Sequence, residues 1–507
     1  MTLLLLLCLA AAQLPAALTY DELVARGTAE AALGHEPAAE EAFASALALD
    51  PQRPEALVER GGLRFLETRY VEAVADLQAA LALREDAYAR DLLAASLHLL
   101  GRTDEALASW NRLGGPKLAS VEITGLSHTR DAVARRELRL REGEPLELDR
   151  LRESRRRLLD VGVFEQVTLR PYPRGDGTAD LEVALLERHG FASSRAEFAA
   201  STLAQLADRR IGLRYANMGG TGAAAGVSWR FAEGRPELAL GLDWPRPFGL
   251  DANLRLVARR GRQGYLFEEP VERTSRGLDL ALRRVLGART VGEVGVSFRD
   301  RAFSAASPSA VPGSVTGLQV GLERRLLERP RQKLDAEVRL FAAGPALGGD
   351  LSFGRGVASL RYEWAVGGAA EPERTHLVTR ALYGRGTDSL PLDEGFAPGG
   401  GPESPFPLRA HRQFENGVVG GTPLGRSLAL FNTELRRTLL SRGPLQLGAV
   451  AFYDAALSSR GLEATPWYHD VGVGLRFALS GTIVRIDWGH GLTDGANAWT
   501  LGVGQAF

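Results

Sequence analysis

The chain has 507 residues, enough for several domains with separate cores. Its formal net charge is −1 and its charged fraction 24%, which excludes a general electrostatic attraction to nucleic acid or to an anionic membrane surface. Glycine is abundant at 58 residues, a composition of turns and strands more than of a helical enzyme.

The chain opens on MTLLLLLCLAAAQLPAAL. The apolar run ending at Ala12 is too short to span a bilayer, and Ala16 and Ala17 offer small residues for cleavage. Residues 1–17 are therefore expected to be a secretory signal, although only the α-amino group supplies positive charge. The single cysteine, Cys8, lies in this segment, and Leu7 stands before it where a lipoprotein signal has a small residue. With the signal removed, neither disulfides nor thiolate metal sites are expected. No later apolar run reaches about 18 residues, so insertion into a membrane would require a barrel.

Residues 19–115 are rich in alanine and leucine and repeat themselves. AEEAFASALALDP, from Ala39, aligns with AVADLQAALALRE, from Ala73, at an offset of 34 residues, and Gly27 aligns with Gly61 at the same offset. GRTDEALASWNRL, from Gly101, is a third copy one residue out of step. A 34-residue period of paired helices is the tetratricopeptide pattern. Ala39, Ala46, Ala73 and Ala80 would let neighbouring helices approach, and Phe43 and Leu77 would fill the space between them.

Residues 117–188 read βααββ. LASVEITGL is strand-like, RDAVARREL and LDRLRESRRRLLDVG are helix-like, and FEQVTLRPYP and ADLEVALLER alternate again. Leu148, Leu151, Leu158 and Leu159 are expected to bury one face of the second helix; Arg155, Arg156 and Arg157 offer either a binding patch or, the reading preferred here, a solvated helix face. The order resembles a POTRA domain, with Gly125 closing the first strand and Leu159, Gly162 and Phe164 carrying its Leu…Gly-x-Phe signature, which leads into a strand at Val167. That resemblance implies a periplasmic module that receives extended chains at a strand edge.

From residue 190 to residue 507 the period is two, as in GLDLALRRV, VGEVGVSFR, GLQVGLERRL and KLDAEVRLF. One face is apolar and the other carries charges and glycines, which suits lipid outside and a wet lumen. At about 20 residues per strand and connection the region accommodates roughly 16 strands. Trp499, Leu501, Val503 and Phe507 share one face of a closing strand, with Gln505 a polar departure on it.

One POTRA domain followed by such strands resembles the outer-membrane assembly and translocation superfamily, the bacterial surface antigen type that includes BamA, TamA and the two-partner secretion transporters. The resemblance implies a 16-stranded transmembrane antiparallel barrel with a loop folded into its lumen. The family's Val-Arg-Gly-aromatic loop motif falls on Leu408, Arg409, Ala410 and His411, so Ala410 and His411 replace the usual glycine and aromatic residue. Its Asn-x-Glu-Leu-Arg strand falls on Asn432, Glu434 and Arg436, and its Phe-x-Asp strand on Phe452 and Asp454. From this Arg409 is expected to pair with Asp454 on the lumen wall, since a guanidinium–carboxylate pair can pin an irregular loop.

The function implied is insertion, assembly or translocation of client proteins at the bacterial outer membrane, with clients received by POTRA strand augmentation. A dedicated secretion channel for one partner and a passive or ligand-selective pore are the alternatives. The expected partners are the outer-membrane bilayer and unfolded clients in the periplasm, where the tetratricopeptide and POTRA regions would lie. The repeat region either binds a periplasmic partner or acts as a spacer. No enzymatic constellation, cofactor motif or metal-ligand spacing emerges. His35-Glu36 lacks a second histidine, and His469 and His490 stand apart.

Overall fold

The computed structural model describes residues 18–507 apart from 175, 193–194, 208, 368–373, 402–403, 421–423, 444, 461–465 and 480–481. The expected signal, residues 1–17, lies outside the described residues. Two compact units divide the described residues: residues 18–124, 139–152 and 168–184 belong to one, and residues 125–138, 153–167 and 185–507 to the other.

The first unit opens with α1 (Tyr20–Ala32), α2 (Glu36–Leu49), α3 (Glu55–Leu66), α4 (Tyr70–Leu83), α5 (Ala87–Leu99) and α6 (Thr103–Asn111), each packed on the next. Thr19 and Glu22 form a reciprocal capping box that starts α1. A Cβ at Gly27 would lie 2.5 Å from the Phe43 ring, and one at Gly61 would lie 2.8 Å from Leu77 Cγ. Equivalent glycines thus admit a large side chain in each of two helix pairs, between fully buried alanines at 39, 46, 73 and 80.

Strands β1 (Lys117–Thr124), β2 (Phe164–Pro173) and β3 (Thr178–Glu187) make a sheet in the order β1-β3-β2, with β1 parallel to β3. Helices α7 (Asp131–Arg135) and α8 (Leu148–Asp160) complete the βααββ order. Gly125 has φ +84°, and a Cβ there would lie 1.9 Å from Leu185 O. Gly162 has φ +82° with open space around it, and Phe164 is buried at the start of β2. The buried stripe of α8 runs through Leu151, Ser154 and Leu158, whereas Leu159 is 44% exposed. Arg157 is a correction to the solvated face: it is 2% exposed and pairs with Glu137 at 3.0 Å and Asp251 at 2.8 Å. Both partners are distant in sequence, so helical periodicity alone could not place it.

Among the described residues of the second unit, fifteen antiparallel wall strands roll into a barrel. The first five are β4 (Arg210–Tyr215), β5 (Ala224–Arg230), β6 (Glu237–Pro245), β7 (Asn253–Leu266) and β8 (Pro270–Gly287). The next five are β9 (Thr290–Phe303), β10 (Val315–Arg329), β11 (Gln332–Ala343), β12 (Phe353–Val366) and β13 (Thr375–Gly386). A short hairpin follows, β14 (Phe414–Glu415) and β15 (Val418–Val419). The wall resumes with β16 (Ser427–Arg442), β17 (Leu445–Ser459), β18 (Tyr468–Leu479), β19 (Thr482–Gly491) and β20 (Asn497–Val503). Register keeps apolar residues opposite one another on the outer face, as in Leu280↔Val296, Val320↔Leu340 and Leu322↔Val338. Leu240, Val294, Val320 and Leu340 are each at least half exposed there. Among the described residues no helix is long and apolar enough to cross a membrane.

A sixteenth wall strand is not among those described. The segment before β4 instead forms helix α9 (Arg195–Ala207). Its sequence, RAEFAASTLAQLA, is rich in alanine, the strongest helix former. The closing strand also differs from expectation. Gly504 takes φ +81° just after β20, so Gln505 and Phe507 leave the strand register. Gln505 accepts a hydrogen bond from Arg476 Nε at 3.2 Å, and Phe507 O accepts one from Arg436 Nη2 at 3.1 Å.

Candidate functional site: a loop pinned inside the barrel

The connection between β13 and β16, residues 387–426, is long, and its residues 408–411 are buried among inward-facing wall residues. Leu408 packs with Leu382, Phe396, Leu428, Leu430 and Ala456. This apolar seat delivers Arg409, 1% exposed, to the wall. Arg409 Nε donates to Asp454 Oδ2 at 2.7 Å, and Nη2 donates to Asp454 Oδ1 at 2.8 Å. Its Nη1 donates to Glu434, and the guanidinium lies 3.5 Å from the Phe452 ring centroid.

The wall strands explain the cluster. Residue pairing sets Asn432 opposite Asp454, and Asp454 opposite Asp470. Like charges directly opposite each other are destabilising unless a cation intervenes. The loop supplies Arg409 for that role, with His411 beside it. Arg409 takes Asp454, while His411 lies 2.9 Å from Asp470 and 2.9 Å from Asp494. Asn432 Nδ2 donates to Asp454 Oδ1 at 2.8 Å and to Pro407 O at 2.9 Å, so it joins wall and loop. Glu434 also accepts from Arg436 Nε at 2.6 Å, and Arg476 Nη1 donates to Asp487 at 2.6 Å.

The two departures from the loop motif have visible consequences. Ala410 N donates to Asp470 Oδ2 at 2.6 Å, and the close approach is made on the other side by Gly489 of β19, where a Cβ would lie 2.8 Å from Ala410 N. His411 meets Tyr468 edge-on at 5.0 Å between centroids, so it keeps an aromatic contact and adds its two carboxylate partners.

A second anchor was not singled out in the sequence. Upstream on the same loop the side chains of Asp393 and Glu394 are buried among arginines from earlier wall strands. Asp393 pairs with Arg301 at 2.6 Å and with Arg273 at 2.9 Å; Glu394 pairs with Arg299 at 2.6 Å. Arg355 Nη1 donates to Glu394 O at 2.7 Å. The loop is thus held by its acids to basic strands β8, β9 and β12, and by its cation to acidic strands β16 and β17. Only the acidic doublet in PLDEGF could have signalled this, and such doublets are common in solvated loops.

His469 and His490 are brought to no shared site: His469 Nδ1 lies 2.8 Å from Tyr453 Oη, and His490 Nδ1 lies 3.0 Å from Asn497 Oδ1. Glu187, at the end of β3, receives backbone N–H bonds from Ser127, His128 and Thr129 at 2.9, 2.6 and 3.0 Å. Burial alone would raise its carboxyl, but the bonds from Ser127 and Thr129 hold it down to about 2.

Residues 116–188 match the POTRA family, described as surface antigen variable number repeat. Among solved structures the chain is similar to CdiB from Acinetobacter baumannii, at 15% identity and TM-score 0.51 over 76% of this chain and 73% of that one. It is similar to CdiB from Escherichia coli at 14% identity and TM-score 0.51, over 74% and 73%. BamA from Haemophilus ducreyi lacking POTRA domains 1–3 matches at 14% identity and TM-score 0.45, over 76% and 84%. At these identities the likeness is one of fold. None of the curated proteins compared with the chain matches it in sequence.

Proposed function

We propose that this protein sits in the bacterial outer membrane and assists the insertion, assembly or translocation of client proteins. The observation that carries the reading is the loop pinned through Arg409 to Asp454 inside a barrel that follows a POTRA module. The outward apolar face would meet lipid, and the βααββ module, residues 117–188, would lie in the periplasm and offer a strand edge to an extended client. The helical region, residues 19–115, would be a tetratricopeptide scaffold; Gly27 and Gly61, 34 residues apart and each packed against a large side chain, support this. The working barrel would have sixteen strands. The protein would work without a cofactor or an enzymatic step.

Reconstitution tests the reading. Purified protein in liposomes of outer-membrane lipid should accelerate the insertion of a urea-unfolded small barrel protein, read by its heat-modifiable gel shift. Equal rates with empty liposomes would refute a general insertion role. A dedicated channel would instead show in cells as the loss of one exported protein, and a pore as the loss of solute flux.

A further inference from the structure

The wall carries a second pair of like charges. One row of inward residues crosses five strands. Asp335 of β11 lies opposite Arg361 of β12, Arg361 opposite Arg380 of β13, Arg380 opposite Asn432 of β16, and Asn432 opposite Asp454 of β17. Like charges set directly opposite destabilise a sheet unless a counter-charge intervenes. At the acidic end of the row the loop provides one, Arg409. At the basic end Arg361 turns to Glu363 at 3.1 Å, whereas Arg380 has an arginine on one side and an asparagine on the other. Among the described residues Arg380 pairs with no carboxylate; its Nη1 donates to a loop backbone oxygen, Pro405 O, at 3.0 Å.

Arg380 lines a chamber of about 630 Å³ between the loop and the inner wall. Small-molecule sites usually have about 300–1,000 Å³. The acids on its lining are already paired: Glu337 with Arg339, Asp393 with Arg273 and Arg301, and Glu237 with Arg230 at 3.8 Å. Arg355 also lines the chamber. Its Nη1 donates to Glu394 O at 2.7 Å, and it reaches the Glu394 carboxylate only at 3.9 Å, because Arg299 holds that carboxylate at 2.6 Å. Arg355 and Arg380 thus each commit Nη1 to a backbone oxygen and keep the rest of the guanidinium fork for the chamber.

The walls around these two arginines are aromatic. Phe341 lines the chamber from β11 and is 7% exposed, while its neighbour Leu340 is 55% exposed on the outer face. Phe396 and Phe406 meet edge-on at 5.6 Å between centroids on the loop side. Water alone needs no such rings. Rings beside guanidinium forks suit a molecule with an apolar body and an anionic end.

We propose that the chamber binds a small organic anion, a phosphate monoester or carboxylate on an apolar body. Arg355 and Arg380 hold the charged end, and Phe341, Phe396 and Phe406 pack on the rest. A guanidinium fork matches either oxyanion, so both head groups belong to the proposal. The site goes beyond client handling and does not depend on it.

The full chain, folded in detergent micelles and checked by its heat-modifiable gel shift, is titrated with phenyl phosphate or benzoate at constant ionic strength. Inorganic phosphate and benzyl alcohol supply the charge and the ring separately. At millimolar concentration an aromatic anion should raise the unfolding temperature, inorganic phosphate should raise it less, and benzyl alcohol should leave it unchanged. Arg380→Gln should weaken binding of the protecting anion at least about tenfold. Arg380→Lys should weaken it less, since it keeps the charge and loses the fork. Without ligand, Arg380→Gln should unfold at or above the wild-type temperature, because Arg361 loses the like charge opposite it.

No protection of the wild-type chain by either aromatic anion would overturn the proposal. So would equal protection by inorganic phosphate, or equal protection of Arg380→Gln. An unliganded Arg380→Gln chain that unfolds below the wild-type temperature, or does not fold, would overturn it as well, since Arg380 would then be a structural cation.

Discussion

Arg409 and Asp454 are joined by two parallel hydrogen bonds, Nε to Oδ2 at 2.7 Å and Nη2 to Oδ1 at 2.8 Å, with neither side chain more than 1% exposed. A planar fork on a carboxylate fixes direction as well as distance, which a loop with little regular backbone needs. Breaking such a buried pair from one side leaves an uncompensated charge and costs about 3–5 kcal/mol. Arg409→Glu should therefore release the loop, read as new protease cleavage near residue 409 and a lower unfolding temperature. Adding Asp454→Arg should restore only part of the protection, because Glu434 also faces the guanidinium. Wild-type protection in Arg409→Glu would remove the pin from the account.

The second anchor predicts coupling across the loop. Asp393→Asn removes the nearer carboxylate of Arg273 and Arg301, leaving them Glu394 at 3.6 and 3.8 Å, and should cost up to about 3–5 kcal/mol. Because both anchors hold one loop, Asp393→Asn combined with Arg409→Ala should deviate from additivity by about 0.5–3 kcal/mol in a double-mutant cycle. Strict additivity would mean that each end is held independently.

Two glycines of the βααββ module separate strain from collision. Gly162→Ala places a side chain at positive φ in open space and should cost about 1–2 kcal/mol. Gly125→Ala adds a collision with Leu185 O at 1.9 Å and should abolish folding of the module. Equal unfolding temperatures for the two full-length variants would contradict this geometry.

How legible these features were depends on the distance over which their cause acts. Arg409, Asn432, Glu434 and Asp454 could be found because a resemblance fixed their order, and alternation placed the last three on the inward face. Asp393 and Glu394 carry no period, and their partners come from strands about a hundred residues earlier. Arg157 was misread for the same reason: one helical turn cannot reveal Glu137 or Asp251. The segment of α9 lies in a region whose general period of two suggests strands, yet its alanines favour a helix, and tertiary packing decides between the two. Phe507 was placed on the closing strand by spacing alone, and the positive φ of Gly504 redirects it toward Arg436.

Glu187 predicts an acid transition. Its folded carboxyl is held down to about 2 against an ordinary value of 4.5, so its stabilising bonds are fully present above pH 4.5 and are lost as pH falls toward 2. The contribution at neutral pH is about 2–3 kcal/mol. Glu187→Gln should flatten the dependence of unfolding temperature on pH between about 5 and 2. An unchanged pH profile in that variant would show that the three N–H bonds do not favour the ionised form.

Depletion of the protein from its own cells, followed by quantitative proteomics of the outer membrane and of secreted material, tests the client-handling claim most directly. The account predicts that client proteins fall in abundance while periplasmic proteins hold steady, with many barrels lost for an insertion factor and one exported protein lost for a dedicated channel. Outer-membrane and secreted proteomes that stay unchanged, with only solute flux reduced, would contradict it.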